Sequence, residues 1–366
     1  VFGGERCCCW QPSVGVVRVG LVSQYVQTVD LRVHERVSGS GSGNPVVFLH
    51  GFPQTGYQWR HQLQAVADAG YAGFAPDNRG FGLTDKPGAR VSRAMLAQDV
   101  INYLDAKGIG QCTLVGHDWG GIIAFKTAID HPDRITRLAL IDTLCTTWSP
   151  VGPHGWWFKV PGLAESFFER HHRTFIDVLF AGADSALLGD RPQSPWGGIP
   201  AGVRPRPTWI DDDALTHYRE SFADPQSWWH AISYYRYGLP FHEVITDAAR
   251  ATGERYRSLS EDDVAEYWGH PAGMEQHPSW PQFPDYGPED RHKRYPHPTL
   301  WLYGGYLGGS LVEGRTETPT GNPFLDQFTR YFPDLRARSV GGGHFLGEEC
   351  SAYVNECLLG FMSGAL

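Results

Sequence analysis

Between residues 112 and 130 a short apolar run, Cys112-Thr113-Leu114-Val115-Gly116, passes through His117-Asp118-Trp119 into Gly120-Gly121 and a helix-spaced apolar stretch. A strand that turns into a helix within one residue strains the backbone at the turn. It also needs flanking side chains no larger than hydrogen, so that strand and helix can approach. Glycines stand two before and two after Asp118, so Asp118 is the apex of such an elbow and the candidate reactive residue. The competing reading is a plain helix cap, a role aspartate often fills. A carboxylate at an apex attacks saturated carbon bearing a leaving group, such as an epoxide or alkyl halide, and leaves an alkyl ester that must then be hydrolysed. Serine in that place attacks acyl carbon instead.

The rest of the chain supplies the sheet such a turn requires. Residues 25–37 alternate apolar and polar as a half-buried hairpin would, and Val46-Val47-Phe48-Leu49 is a continuous apolar run suited to a strand buried on both faces. Helical spacing near 57–69, 92–107 and 120–130 alternates with strands at 72–75, 112–116 and 136–141. This rhythm predicts a parallel sheet covered by helices on both faces. It breaks after Asp142 and returns at Thr299-Leu300-Trp301-Leu302-Tyr303, with a helix near 323–331, a strand near 335–340 and a last helix near 350–362. The fold expected is α/β, a mostly parallel sheet with an inserted helical cap. Residues 1–22 read as a disordered tail, 23–143 and 297–366 as the core, and the aromatic-rich 144–296 as the cap. Within the cap, 186–208 and 268–298 are rich enough in Pro, Gly and His to be surface excursions.

With 31 basic against 40 acidic residues and a net charge of -9, no basic stripe favours nucleic acid or an anionic membrane. The partner expected is a small, uncharged, largely apolar substrate, and a homodimer is compatible with the composition. Seven cysteines, three of them adjacent at Cys7, Cys8 and Cys9, form neither a disulfide framework nor a metal site with a second cluster at ligand spacing. Val1–Gln11 lack the apolar region of a signal peptide, and no run approaches a membrane span. A reducing, cytoplasmic setting is expected, with no metal and no cofactor.

Gly341-Gly342-Gly343-His344-Phe345 follows the last strand, and a histidine there, late in chain order, is the candidate general base. Together with His50-Gly51-Phe52-Pro53, Pro76-Asp77-Asn78-Arg79-Gly80-Phe81-Gly82, Gly116-His117-Asp118-Trp119-Gly120-Gly121 and Gly342-Gly343-His344, the chain from about 25 to 362 resembles the epoxide hydrolase branch of the α/β-hydrolases. Haloalkane and haloacetate dehalogenases stand close by. The resemblance implies an oxyanion hole from the backbone N–H groups of Phe52 and Trp119. His50 orients the turn and carries no chemistry. It also implies two cap groups that donate to the epoxide oxygen, Tyr235 and, in the segment His154-Gly155-Trp156-Trp157-Phe158-Lys159, His154 in place of the usual tyrosine. Tyr234 could exchange roles with Tyr235, and Trp119, Trp156, Trp157 and Tyr234 are expected to line the pocket. Packing of an aromatic cap is the simpler reading of all of them.

The triad acid departs from the common pattern, because Tyr303-Gly304-Gly305-Tyr306-Leu307-Gly308-Gly309 carries no carboxylate after the seventh strand. Asp142, in Leu140-Ile141-Asp142-Thr143, is the choice, with Glu313 as runner-up and a simple cap as the plain reading of Asp142. The expected activity is opening of an epoxide to a vicinal diol. The first alternative is haloalkane dehalogenation, favoured by Trp119 beside the nucleophile but not by Phe52, where one dehalogenase group has asparagine. Haloacetate dehalogenation would call for arginines where Trp119 and Ile122 stand. A non-catalytic binding protein on the same scaffold is the alternative from another class.

Overall fold

The computed structural model describes residues 21–38, 43–88, 90–147, 158–182, 207–239, 250–251, 254, 257–258, 286–304 and 323–366. The chain begins with an antiparallel hairpin, β1 (Val22–Gln27) and β2 (Arg32–Ser38). Then follow β3 (Pro45–Leu49), α1 (Arg60–Asp68), β4 (Ala72–Pro76), α2 (Arg93–Ala106), β5 (Cys112–His117), α3 (Trp119–Asp130) and β6 (Ile135–Ile141). Helices α4 (Leu163–Gly182), α5 (Asp212–Ala223) and α6 (Pro225–Gly238) intervene before β7 (Thr299–Tyr303), α7 (Pro323–Tyr331), β8 (Leu335–Ser339), α8 (Leu346–Glu349) and α9 (Ser351–Ser363). The eight strands lie in one sheet in the order β1-β2-β4-β3-β5-β6-β7-β8, antiparallel through β2 and β4 and parallel from β4 onward.

The central strands are apolar on both faces because both faces are covered. Val47, Leu49, Leu114 and Leu140 pack toward α2 and α3, while Val46, Phe48, Val115 and Ile141 pack toward α1 and α9. Successive residues of a strand thus feed opposite layers, as the two-residue period requires. At the edge, β1 is largely exposed and polar, which leaves it a half-covered strand.

The helices between β6 and β7 start where their sequences dictate. Asp211 caps α5 by accepting from the Ala214 amide, and Asp224 caps α6 by accepting from Gln226, with Pro225 in the first turn where its missing N–H costs nothing. Their apolar faces bury Phe167, Phe168, Phe175, Phe222 and Tyr235 in the same cluster as Phe52 and Trp119. Each such ring stabilises the packing by about 1.5–3 kcal/mol, so these helices are held firmly over the carboxyl edge of the sheet.

Candidate active site

In register, Leu49 pairs with Gly116 and Gly116 with Leu140, so β3, β5 and β6 end side by side. The residues that follow, His50 to Phe52, Asp118 and Asp142, therefore emerge together at the carboxyl edge, joined by Gly304 after β7 and the His344 loop after β8. Open parallel sheets place ligands at this edge.

Asp118 has φ 48° and ψ −121°, a backbone state L residues rarely adopt. A Cβ on Gly116 would come within 2.3 Å of the Gly120 carbonyl oxygen, and one on Gly120 within 2.1 Å of that of Leu49. The glycines are thus required by backbone approach. Thr143 Oγ1 steadies the turn by donating to the Asp118 carbonyl at 2.5 Å. The Asp118 carboxylate makes no capping bond to α3, which removes the plain cap reading. Oδ1 instead accepts from the Phe52 amide at 2.8 Å, and Oδ2 faces His344 Nε2 at 3.6 Å.

On its other side, His344 donates Nδ1–H to Asp142 Oδ2 at 2.5 Å, and the Gly304 amide donates to Asp142 Oδ1 at 2.9 Å. Asp142 also has a positive φ, 40°, at the end of β6. The Asp142 side chain is fully buried whereas that of Asp118 keeps 22% exposure, so only Asp118 presents a carboxylate that a substrate can reach. Burial alone would push His344 down, but the two carboxylates outweigh it and push it up to about 10. Burial would raise Asp118 as well, yet the hydrogen bond and charge of His344, with the Trp119 amide, hold it below the usual carboxylate range. Burial raises Asp142 against the pull of His344 and Gly304. Both its oxygens accept hydrogen bonds, an arrangement that selects the ionised form.

Three residues at the site carry no sequence signature of their own. His117 donates Nε2–H to the His344 carbonyl at 2.9 Å, and burial with the neighbouring His344 pushes it down to about 3, so it is a neutral donor. The Glu349 carboxylate accepts from the Gly343 amide at 2.7 Å and the Phe345 amide at 2.5 Å, bracketing His344. Thr143 is the third. His50 is also neutral, donating Nδ1–H to the Gly51 carbonyl and accepting at Nε2 from the Asn78 amide, which makes it a turn-orienting group.

Trp119 and Tyr235 are each 1% exposed and meet edge to face at 5.3 Å. Tyr235 also packs edge-on to Phe52 and Phe158. Tyr234 turns away, its hydroxyl donating to the Arg79 carbonyl at 2.8 Å, while its ring backs Trp119. His154, Trp156, Trp157 and Glu313 lie outside the described residues, as do Cys7, Cys8 and Cys9. Among the described residues no helix is long and apolar enough to cross a membrane.

A parallel sheet with strand-to-helix elbow, a carboxylate at its apex and a histidine–carboxylate pair opposite defines an α/β-hydrolase. The alpha/beta hydrolase fold family model matches residues 44–349. Epoxide hydrolase 3 of Siraitia grosvenorii is 32% identical over 234 residues, covering 58% of this chain and 71% of that protein. Epoxide hydrolase A of Mycobacterium tuberculosis is 34% identical over 220 residues, covering 53% and 66%. In fold, the epoxide hydrolase CorEH solved without ligand superposes with a TM-score of 0.66 over 95% of this chain and all of that one, at 19% identity. The chain belongs to the α/β-hydrolase fold family, in its epoxide hydrolase group.

Proposed function

We propose that this hydrolase opens a small, uncharged, largely apolar epoxide to a vicinal diol through an ester on Asp118. One observation carries the reading: the partly exposed Asp118 side chain stands at the apex of the elbow with Oδ1 on the Phe52 amide and Oδ2 facing the His344–Asp142 pair. In the first step Oδ2 attacks an epoxide carbon. The ring C–O bond breaks, and the oxygen takes a proton from the Tyr235 hydroxyl, with His154 as the second donor. Esterification removes one of the two charges that keep His344 protonated, so its basicity falls as the ester forms. The proton it releases restores Tyr235.

Neutral His344, oriented by Asp142, then takes a proton from water as the oxygen adds to the Asp118 carboxyl carbon. The oxyanion develops on Oδ1, which already accepts from the Phe52 amide, with the Trp119 amide as the second donor, and each such donor is worth about 3 kcal/mol in the transition state. The diol leaves with the former Oδ2 and the proton from His344. The helices between β6 and β7 serve as a cap that excludes bulk water. Among the described residues the cysteines Cys112, Cys145, Cys350 and Cys357 are buried, which suits a reducing cytoplasmic setting.

Single-turnover reaction in heavy-oxygen water tests the ester. The first diol must carry only unlabelled oxygen; a labelled oxygen in it would mean direct attack by solvent and end the proposal.

One observation favours a second reading. The buried Trp119 Nε1 has no hydrogen-bond partner among the described residues, and an indole N–H beside the nucleophile could receive a departing halide. Halide release from haloalkanes without diol formation from epoxides would decide for it.

A further inference from the structure

Lys159 is 2% exposed, yet its ammonium group is turned onto the end of α6. Nζ donates to the Tyr235 carbonyl at 2.6 Å and to the Leu239 carbonyl at 2.7 Å. Carbonyls in a last helical turn lack donors from their own helix, and a cation there is favoured by the helix dipole. Tyr235 is in that turn. The return contact comes from Arg236, the next residue on α6, whose Nη2 donates to the Phe158 carbonyl at 2.9 Å and the Val160 carbonyl at 3.4 Å. Two cations thus cross between neighbouring backbones, each bonded to carbonyls of the other's segment. Glu165 completes the arrangement, pairing with Arg236 at 2.5 Å and accepting from the Gly162 amide at 2.9 Å.

Burying an ammonium carries a desolvation cost that a methionine of similar length would avoid, and here burial with the Arg236 charge pushes Lys159 down to about 7. What the two lysine bonds secure is the main chain of Tyr235 itself. Its ring stands between Phe52, Trp119 and Phe158, and the Phe158 carbonyl is fixed from the Arg236 side.

We propose that Lys159 is a positioning residue for Tyr235, anchoring the last turn of α6 so that the Tyr235 hydroxyl meets the epoxide oxygen as the ring opens. This rests on the reading of Tyr235 as the donor to substrate. The prediction is a split between steps, since ester hydrolysis is the work of His344 and Asp142 rather than of Tyr235. A residue that only supported the fold would slow both steps together.

The test uses the full chain, Lys159→Met and Arg236→Lys, with a styrene-type epoxide in rapid-quench single turnovers. The rise of the covalent adduct by intact mass gives ring opening, and its decay gives ester hydrolysis. Lys159→Met should slow the rise about 10–100-fold, the range expected when a reacting group shifts by about an ångström, and leave the decay within about twofold. Arg236→Lys keeps the charge but loses the forked donor, and should show the same split more weakly. If Lys159→Met does not fold, Arg236→Lys decides. Equal slowing of both steps, or of neither, in a wild-type background that forms diol overturns the role of Lys159 alone. A wild-type protein that forms no adduct and no diol overturns the epoxide reading, and this role with it.

Discussion

The Phe52 amide donates to Asp118 Oδ1 at 2.8 Å, so the oxygen that would carry negative charge during ester hydrolysis already rests on its donor before any substrate binds. The other oxygen is left for attack, and the site need not rearrange between the two steps. Gly51 makes this arrangement possible. A Cβ there would lie 2.5 Å from Asp118 Cβ and 2.8 Å from Oδ1. Gly51→Ala should therefore displace the carboxylate and reduce kcat by about 100-fold, measured by diol formation alongside a melting curve that shows the fold retained. Unchanged kcat would mean that the position of Asp118 is not what limits turnover.

His344→Gln separates the two chemical steps. Ring opening needs the Asp118 carboxylate and a donor to oxygen, whereas ester hydrolysis needs a base. The variant should accumulate about one equivalent of covalent adduct on Asp118, visible by intact mass, with hydrolysis slowed roughly 10²–10⁴-fold. A variant that turns over without adduct would remove His344 from the second step.

Asp142 sits at φ 40°, a state asparagine tolerates well, so Asp142→Asn removes charge without disturbing the backbone. The amide cannot stabilise a protonated His344 as the carboxylate does, and the histidine should become less basic. Adduct decay should slow by about 10²-fold or more while adduct formation persists. If decay keeps its wild-type rate, the acid lies elsewhere, and Glu313 is the first residue to replace.

The shift of His344 also makes stability depend on pH. Its value is raised to about 10 in the folded chain from an ordinary 6.5, so the folded state binds the proton more tightly. The resulting stabilisation is fully present below about pH 6.5 and is lost as pH rises toward 10. Melting temperature should fall across that window in the wild type and fall less in His344→Gln. Parallel curves for the two proteins would show that His344 is not strongly shifted.

The meeting of three residues was legible because each follows directly on an apolar strand: His50 on Leu49, Asp118 on His117 and Asp142 on Ile141. Strand ends align in a parallel sheet, so their successors meet. What spacing could not show are contacts made through the backbone. Glu349 brackets His344 through two amides, at the end of a short α8 that precedes the helix expected from about 350. Likewise the helix expected over 57–69 opens as a 3-10 turn at Gly56–Trp59, capped by Thr55, before α1. Nor can sequence alone choose between adjacent tyrosines, which point about 100° apart on a helix. The Arg79 carbonyl takes the Tyr234 hydroxyl and leaves Tyr235 against Trp119.

Phe52 belongs to two neighbourhoods at once. Its amide touches the Asp118 carboxylate, and its ring is seated among Phe158, ahead of α4, and Phe175, Phe222 and Tyr235 from the helices above, at centroid distances of 5.4–6.1 Å. Re-carving the roof to admit bulkier molecules would therefore reseat the same residue that holds the Asp118 carboxylate. On the proposed mechanism, breadth of substrate and speed of turnover would be linked at this one position, and attempts to widen the first without losing the second should start from residues that do not touch its ring.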